Sequence, residues 1–162
     1  MSEGACFICL DTSPPPVQCG CACRGDSGLA HVGCLVQAAE SREANGGGKG
    51  GWWACRTCKN NFTGAVSIGL AEALWLRVRD QPAESSDRLE AARTLSIALR
   101  DLGKYEEAAQ MLRELLEVQR RVLGAEHPRT LRTTHSLANS LYGQGVYEEA
   151  AQIGRASCRE RV

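Results

Sequence analysis

The second half of the chain carries apolar residues at helical spacing. Leu95, Leu99 and Leu102 follow one another at intervals of four and three positions, and Leu112 and Leu115 continue the pattern. Such intervals place the side chains on one face of an α-helix. Because Ala, Leu, Glu and Arg, all good helix formers, dominate the composition here, this half is predicted to be all-α.

Breaks in the pattern predict where the helices stop. Pro82 cannot continue a helix, and the cluster Ser85-Ser86-Asp87 offers an N-cap for the next one. We therefore predict a connecting or capping helix within residues 64–80, a loop over residues 81–87, and a new helix that opens near Asp87.

The helical half repeats itself with a period of about 42 residues. Leu95 aligns with Leu137, and Tyr105–Gln110 has the same sequence as Tyr147–Gln152. Each unit reads as a helix, a glycine turn and a longer helix, which is typical of a helical solenoid. The match ends after Gln152, so residues 88–152 are predicted to hold about one and a half repeats. The connecting helix is predicted to pack on the first repeat as a cap. The helices of the first unit are predicted at Arg88–Leu102 and Tyr105–Leu123.

Residues 1–63 are rich in cysteine and glycine and poor in large apolar side chains. A segment of about 60 residues is marginally stable even with a full core, and small domains that lack one rely on disulfides or metal. The opening residues Met1–Gly4 resemble no secretory signal, which argues against an extracellular disulfide framework. Metal is therefore the predicted stabiliser of this half.

Eight Cys and His residues of the N-terminal half occur in four close pairs. A Cys-x2-Cys turn directs two sulfurs toward one ion, and four thiolate or imidazole ligands satisfy tetrahedral zinc. The pairs therefore predict two closed, structural Zn²⁺ sites, with a set of reduced, buried cysteines as the alternative. The predicted ligands are Cys6, Cys9, Cys21, Cys23, His31, Cys34, Cys55 and Cys58.

The order of these ligands, four cysteines, one histidine and three cysteines, resembles the RING-CH (RING-variant) zinc finger over residues 1–63. The runs that carry the likeness are Cys6–Asp11, Cys21–Gly25 and His31–Leu35. PHD fingers share the order, but the seven residues between Cys23 and His31 favour RING-CH. The resemblance implies a small cross-braced α+β finger with little regular structure. It further implies that one zinc is held by Cys6, Cys9, His31 and Cys34, and the other by Cys21, Cys23, Cys55 and Cys58.

Cys19 is the leftover cysteine of this segment. Its use together with Cys21 would put nine residues before His31, a poorer fit to the RING-CH spacing. Cys19 is therefore predicted to lie outside both sites. The run Pro14-Pro15-Pro16 is interpreted as a stiffener of its loop rather than as a polyproline ligand.

The RING-CH resemblance implies a candidate E3 ubiquitin ligase, which recruits a ubiquitin-charged E2 enzyme without forming a covalent intermediate. Both predicted sites are closed, so no catalytic residue is predicted. In that family an apolar residue of the first Cys-x2-Cys loop and a later aromatic contact the E2, which assigns the role here to Ile8 and to Trp52 or Trp53. Arg56-Thr57 replaces the proline of many ordinary RING fingers. The alternative is a non-enzymatic interaction scaffold, in which the three apolar side chains merely cover a structural zinc finger.

Two stretches of the repeats, Gly103–Ala108 and Leu123–Leu131, resemble the tetratricopeptide repeats of kinesin light chains. The resemblance implies an array of helical hairpins that binds a protein or peptide partner. Arg93-Thr94 and His135-Ser136 occur where kinesin light chains carry asparagine pairs for gripping peptides. His127, in the connector between the repeats, is interpreted as a structural loop residue.

Charge and hydropathy exclude other partners. The chain has 19 basic and 19 acidic side chains, so its formal net charge of +0 argues against nucleic-acid binding through basicity. No apolar run approaches the roughly 18 residues of a membrane helix. We therefore predict a soluble, cytoplasmic protein.

The last ten residues, Ile153–Val162, resemble one reading frame of a common sequencing adapter. We interpret them as an artefact rather than as a genuine basic tail. The natural chain is then expected to continue with further repeats.

Overall fold

A computed structural model describes residues 4–159. The chain divides into two units, with the boundary between Leu74 and Trp75. Up to that boundary lie the strands β1 (Val17–Gln18) and β2 (Leu29–Ala30), helix α1 (Val32–Ala44), the 3-10 turns Gly25–Gly28 and Lys49–Trp52, and most of helix α2 (Gly64–Val78). The second unit contains helices α3 (Ser86–Asp101), α4 (Tyr105–Leu123), α5 (Pro128–Gly143) and α6 (Tyr147–Arg159).

The sheet of the first unit is one short antiparallel hairpin. Val17 lies opposite Ala30, and Gln18 lies opposite Leu29. Within the described part of the unit, the rest of the regular structure is helical apart from an isolated bridge between Ala54 and Asn61. The prediction of little regular structure in this half is therefore confirmed.

The apolar core of the first unit is small. Leu35 of α1, Trp52 and Phe62 are buried, as are Val66, Leu70 and Leu74 of α2. Helices α1 and α2 approach closely, because a methyl group at Gly69 would lie 2.6 Å from the side chain of Val32. A core of this size gives a segment of about 60 residues only marginal stability.

The second unit consists of consecutive helices that pack on one another, α3 on α4, α4 on α5, and α5 on α6. Gly103 and Gly145 follow the first helix of each hairpin with φ of 79° and 83°, a region that glycine enters without the strain of a Cβ. The all-α repeat prediction is confirmed. The buried core consists of Leu89, Ala92, Ala109, Leu112, Leu115, Leu116, Leu137, Leu141 and Ala150.

Helix α4 has its predicted bounds, whereas α3 spans Ser86–Asp101 instead of the predicted Arg88–Leu102, so it begins two residues earlier and ends one residue earlier. The predicted side-chain cap is not made. Ser85 occupies the N-cap position, but its hydroxyl donates to Gln81 Oε1 at 2.6 Å instead of accepting from the helix. The Ser85 hydroxyl therefore forms a hydrogen bond within the loop and not with the helix end.

His127 is the N-cap of α5. Its Nδ1 accepts a hydrogen bond from the backbone N–H of Arg129 at 3.1 Å, and Pro128 occupies the first helical position. The interpretation of His127 as a structural residue of the connector is confirmed.

Helix α6 continues beyond the repeat match through Arg159, and Ile153 packs against the repeat core. The first seven residues of the adapter-like segment are thus helical, while residues 160–162 lie outside the described part of the chain. Among the described residues, no helix combines the length and the apolar character that crossing a membrane requires.

Candidate metal centres

The first Cys-x2-Cys loop forms a tight turn around its leading cysteine. The carbonyl of Cys6 accepts from the N–H of Leu10 at 2.9 Å, and the N–H of Cys6 donates to the carbonyl of Asp11 at 2.9 Å. Leu10 has φ of 65°, a left-handed conformation that costs a residue with a side chain about 1–2 kcal/mol. The turn is therefore held against local strain.

The last Cys-x2-Cys loop repeats this turn. The carbonyl of Cys55 accepts from the N–H of Lys59 at 3.0 Å, its N–H donates to Asn60 at 2.9 Å, and Lys59 has φ of 64°. Two loops of unrelated sequence, far apart in the chain, thus adopt the same strained backbone. Strain of this kind persists where it serves a site, and here each turn presents a pair of sulfurs.

One group of potential ligands consists of Cys6, Cys9, His31 and Cys34, whose ligand atoms all lie within 4.8 Å of one another. The Nδ1 atom of His31 lies 3.3 Å from the sulfur of Cys9 and 3.7 Å from that of Cys34. His31 immediately precedes α1, and Cys34 lies in its first turn. The start of α1 therefore sets the positions of two ligands.

A carbonyl group fixes the orientation of the histidine. Nε2 of His31 lies 2.5 Å from the carbonyl oxygen of Pro14, which can only accept, so Nε2 donates to it and Nδ1 faces the sulfurs. From the sequence, the proline run is predicted only to stiffen its loop. No signal in the sequence identifies this contact, because it joins two backbone segments 17 positions apart.

The second group consists of Cys21, Cys23, Cys55 and Cys58, again within 4.8 Å of one another. The sulfurs of Cys23 and Cys55 are 3.7 Å apart, far beyond a disulfide bond of about 2.05 Å. Four thiolates at about 2.3 Å from a tetrahedral zinc lie about 3.8 Å from each other. The spacing therefore fits a metal site. The fold brings together the same two interleaved sets that the RING-CH resemblance implies.

One cysteine of each group is poised as a thiolate. Burial raises the pKa of Cys6, but backbone N–H groups, that of Cys9 foremost, outweigh it and lower the pKa to about 6. The N–H of Asn60 is the main cause that lowers the pKa of Cys58 to about 6, against the effect of burial. Each group therefore offers one ready anionic ligand near neutral pH.

The pKa of other thiols in the groups is raised. Burial, followed by the neighbouring sulfurs, raises the pKa of Cys34 to about 11 and that of Cys23 to about 12. Sulfurs this close would repel one another if all were anions, so some of the thiols keep their protons. Binding of a cation would displace those protons. Each group thus has the chemistry of a site for a divalent metal that prefers sulfur and nitrogen ligands.

Cys19 lies outside both groups. Its side chain is buried, and burial raises the pKa of its thiol to about 11. Its N–H donates to the carbonyl of Gly28 at 2.8 Å, and its carbonyl accepts from Thr63 at 3.2 Å. Cys19 therefore behaves as a small apolar core residue.

Gly20→Ala is expected to weaken metal binding by the second group, Cys21, Cys23, Cys55 and Cys58. Gly20 has φ of 66°, and a methyl group there would overlap the hydroxyl of Thr63. Gly25 is the matched control, because its φ is 59° but a methyl group there meets no atom within 4 Å. Both alanines incur about 1–2 kcal/mol of backbone strain, and overlap adds about 1–3 kcal/mol at Gly20 alone. Metal release to a chelator should be faster in Gly20→Ala than in Gly25→Ala; equal rates would contradict the role of the Thr63 contact.

The predicted E2-contact residues differ in exposure. Ile8 is 39% exposed and Trp53 is half-buried, but Trp52 is 1% exposed and its Nε1–H donates to Glu43 at 3.2 Å. Trp52 therefore serves the core and presents no surface to a partner. Phe7, which the sequence analysis did not select, is 40% exposed beside Ile8; its apolar character within the same Cys-x2-Cys loop was the available signal.

Phe7 and Ile8 border a cleft of about 290 Å³ in the first unit. Leu35 and Arg42 of α1 and Arg56 of the last Cys-x2-Cys loop also line the cleft. The two Cys-x2-Cys turns therefore border a largely apolar cleft.

Comparison with known proteins bears on the second unit. Residues 87–159 match the sequence model of the tetratricopeptide repeat. Two crystal structures of the nearly identical TPR-like repeats of a protein described as a kinesin light chain from Podosopora anserina, one of them a variant, resemble the chain. Each has 21% identity and a TM-score of 0.53 over 80% of this chain.

The chain spans only about half of those structures, 54% and 55% of their lengths, and at this identity the likeness shows the fold alone. A comparison with curated proteins gave no match. The second unit is therefore built of tetratricopeptide repeats, and the first carries two Cys/His groups that could hold metal ions.

Proposed function

We propose that the first unit is a two-zinc finger of the RING-CH type, spanning residues 1–63. The observation that carries the proposal is the pair of interleaved four-ligand groups, each with one Cys-x2-Cys loop in the same strained turn. Thiolates with one imidazole form the donor set that zinc prefers, and each group offers four ligands with no open position. Bound zinc would stabilise the fold, since in small domains of this kind the free energy of metal binding contributes directly to the free energy of folding.

The residues proposed for the first zinc are Cys6, Cys9, His31 and Cys34, and those for the second are Cys21, Cys23, Cys55 and Cys58. All eight thiols with described side chains are free, which fits a reducing, cytoplasmic environment. Helix α2 (Gly64–Val78), within the predicted connecting segment of residues 64–80, then leads to the repeats.

We propose further that the protein is an E3 ubiquitin ligase or ligase adaptor. The cleft beside Phe7 and Ile8 is the proposed seat of a ubiquitin-charged E2 enzyme, with Trp53 as a further proposed contact and the buried Trp52 in the core of the finger. The finger has closed sites, so it would act by recruitment and not through a covalent intermediate. The tetratricopeptide repeats would bind the protein to be modified.

Ile8→Ala is expected to lower ubiquitin transfer by about tenfold or more, because loss of a central apolar anchor costs an interface about 1.4 kcal/mol or more. Val17→Ala is the matched control: Val17 is also partly exposed in the finger, at 37%, but lies outside the cleft. The measurement is an in vitro ubiquitination assay with a panel of E2 enzymes, alongside zinc content to show that both variants fold. Absence of transfer with every E2, or equal transfer by the two variants, would rule out the ligase proposal.

The second candidate is a non-enzymatic scaffold whose finger is purely structural. Arg56 and Thr57 favour it, because both are exposed in the loop where many ordinary RING fingers carry proline. A scaffold would bind a protein partner through the repeats but show no E2-dependent transfer in the same assay.

A further inference from the structure

A second cleft of the first unit adjoins the apolar one beside Phe7 and Ile8. Its volume is about 550 Å³, and its lining comes from the end of α1, the glycine loop that follows α1, and the last Cys-x2-Cys loop. Ala38, Arg42 and Arg56 line both clefts. The two clefts are therefore adjacent and share part of their lining.

The second cleft is positively charged. The basic residues up to Leu74 are Arg24, Arg42, Lys49, Arg56 and Lys59, and three of these five, Arg42, Arg56 and Lys59, line the second cleft. Among the described residues that line the two clefts there is no Asp or Glu. A local excess of positive charge thus adjoins an apolar cleft, in a chain whose formal net charge is +0.

Arg42 is held in place by the loop that follows α1. Its Nε donates to the carbonyl of Gly47 at 2.9 Å, and the N–H of Gly47 donates to the carbonyl of Arg42 at 2.8 Å. The loop packs so closely that a methyl group at Gly47 would lie 2.5 Å from Cγ of Arg42. A side chain that is already fixed loses little conformational entropy on binding, and the Nη groups of the guanidinium can still donate to a carboxylate.

The other two cationic side chains have no acidic partner among the described residues. Nζ of Lys59 donates to the carbonyl of Arg56 at 2.6 Å, and the exposed guanidinium of Arg56 forms no ion pair within the described part of the chain. Glu43, an acidic residue of α1, instead lies 4.0 Å from Nζ of Lys49 and accepts from Trp52 at 3.2 Å. The charge of the second cleft is therefore available to an anionic ligand.

We propose that the two clefts together bind a segment of a partner protein in which a large apolar residue stands beside aspartates or glutamates. The apolar side chain packs against Phe7, Ile8 and Leu35, and the carboxylates pair with Arg42 and Arg56. The planar guanidinium matches the geometry of a carboxylate. Single-stranded nucleic acid fits less well, because the described lining of the second cleft has no aromatic side chain on which a base could stack.

The proposal uses the cleft that is also the proposed seat of an E2 enzyme, but it concerns binding alone. Its test contains no E2 and no ubiquitin. A failure of ubiquitin transfer would therefore leave it intact, and a failure of peptide binding would leave the ligase proposal to its own assay.

The test begins with a random peptide library displayed on phage and panned against the full purified chain. The library is first depleted on the double variant Arg42→Ala/Arg56→Ala, which removes peptides that bind elsewhere, for example to the repeats. We expect the selected sequences to share a large apolar residue beside a run of Asp or Glu. A fluorescent peptide of the consensus sequence is then titrated into the chain and followed by anisotropy. Its binding is expected to be saturable and to weaken as salt is added, because salt screens exposed charge pairs.

Substitutions in the cleft test the role of the arginines. Arg56→Ala is expected to weaken binding of the consensus peptide by about threefold, and the double variant by about tenfold, as the loss of one and of two exposed ion pairs predicts. Arg24→Ala is the matched control for Arg56→Ala: Arg24 is an exposed basic residue of the same unit that lines neither cleft. It is expected to bind as the parent does. Arg56 is exposed, so its variant should fold normally, which NMR of the finger resonances checks.

Changes in the peptide test the chemistry of the ligand. Replacing its Asp and Glu by Asn and Gln is expected to weaken binding to the parent about as much as the double substitution does. The neutral peptide should then bind parent and double variant equally, since a charge pair that is already lost cannot be lost again. Replacing the apolar residue by Ser is expected to weaken binding to both.

Three results would overturn the proposal. The selected peptides share no acidic residues, or the acidic peptide binds the parent, Arg56→Ala and the double variant equally. Alternatively, a single-stranded oligouridine binds the parent more tightly than the peptide does and loses this affinity in the double variant, which would assign the basic cleft to nucleic acid.

Discussion

Freshly purified protein is expected to contain two zinc ions per chain, and a strong chelator is expected to unfold the finger while α3–α6 stay helical. The reason is the size of the apolar core: Leu35, Trp52 and Phe62, with Val66, Leu70 and Leu74 of α2, are too few to hold the unit once eight sulfur and nitrogen ligands repel or protonate. Structural zinc in small domains contributes on the order of 10 kcal/mol of apparent free energy. Elemental analysis gives the zinc content, and NMR of the finger resonances before and after chelation gives the folding state.

Two substitutions sharpen the experiment. Cys55→Ser is expected to release at least the zinc of the second group, because Cys55 is buried within it. Cys19→Ala is the matched control, a buried cysteine of the same unit that lies outside both groups, and it should retain both ions. Fewer than two ions in the parent protein, or metal loss in Cys19→Ala, would show that the proposed ligand assignment is incorrect.

Leu112→Ala is expected to destabilise the repeat unit by about 2–5 kcal/mol. Leu112 is almost fully buried in the repeat core, so the substitution leaves a cavity among leucines. In a unit of this size each kcal/mol lowers the melting temperature by about 4–8 °C. Thermal unfolding followed by circular dichroism at 222 nm is the measurement.

Leu102→Ala provides the comparison for this prediction. Leu102 is the C-cap of α3 and is 45% exposed, so its truncation removes little buried surface. The free energy of unfolding should therefore fall by much less than in Leu112→Ala. Similar melting temperatures for the two variants would mean that the core is not packed as described.

The helical half was largely predictable because its signals are local. The apolar spacing set the helix faces, Gly103 and Gly145 ended the first helices, and the repeated sequence related the two hairpins. The prediction failed at the start of α3, where Ser85 bonds to Gln81 instead of capping the helix. A short hydroxyl has several partners within reach, and tertiary context chooses among them.

The candidate metal residues were identifiable for a similar reason, since a Cys-x2-Cys segment directs two sulfurs to one side within a single turn. The surface residues of the finger were harder to identify from the sequence. Trp52 and Trp53 are adjacent and identical in the sequence, but the structure buries the first and leaves the second half-buried. Burial depends on what packs against a side chain, which adjacent positions do not reveal.

The sequence alone determined the helical periodicity, the repeat and the paired thiol ligands, because each depends on residues only a few positions apart or on direct repetition. Tertiary structure decided which pairs of ligands meet, that Pro14 orients His31, and that Cys19 lies outside both groups. These features join segments distant in the chain. Their formation depends on loop closure and on the packing of whole elements, which no local pattern encodes.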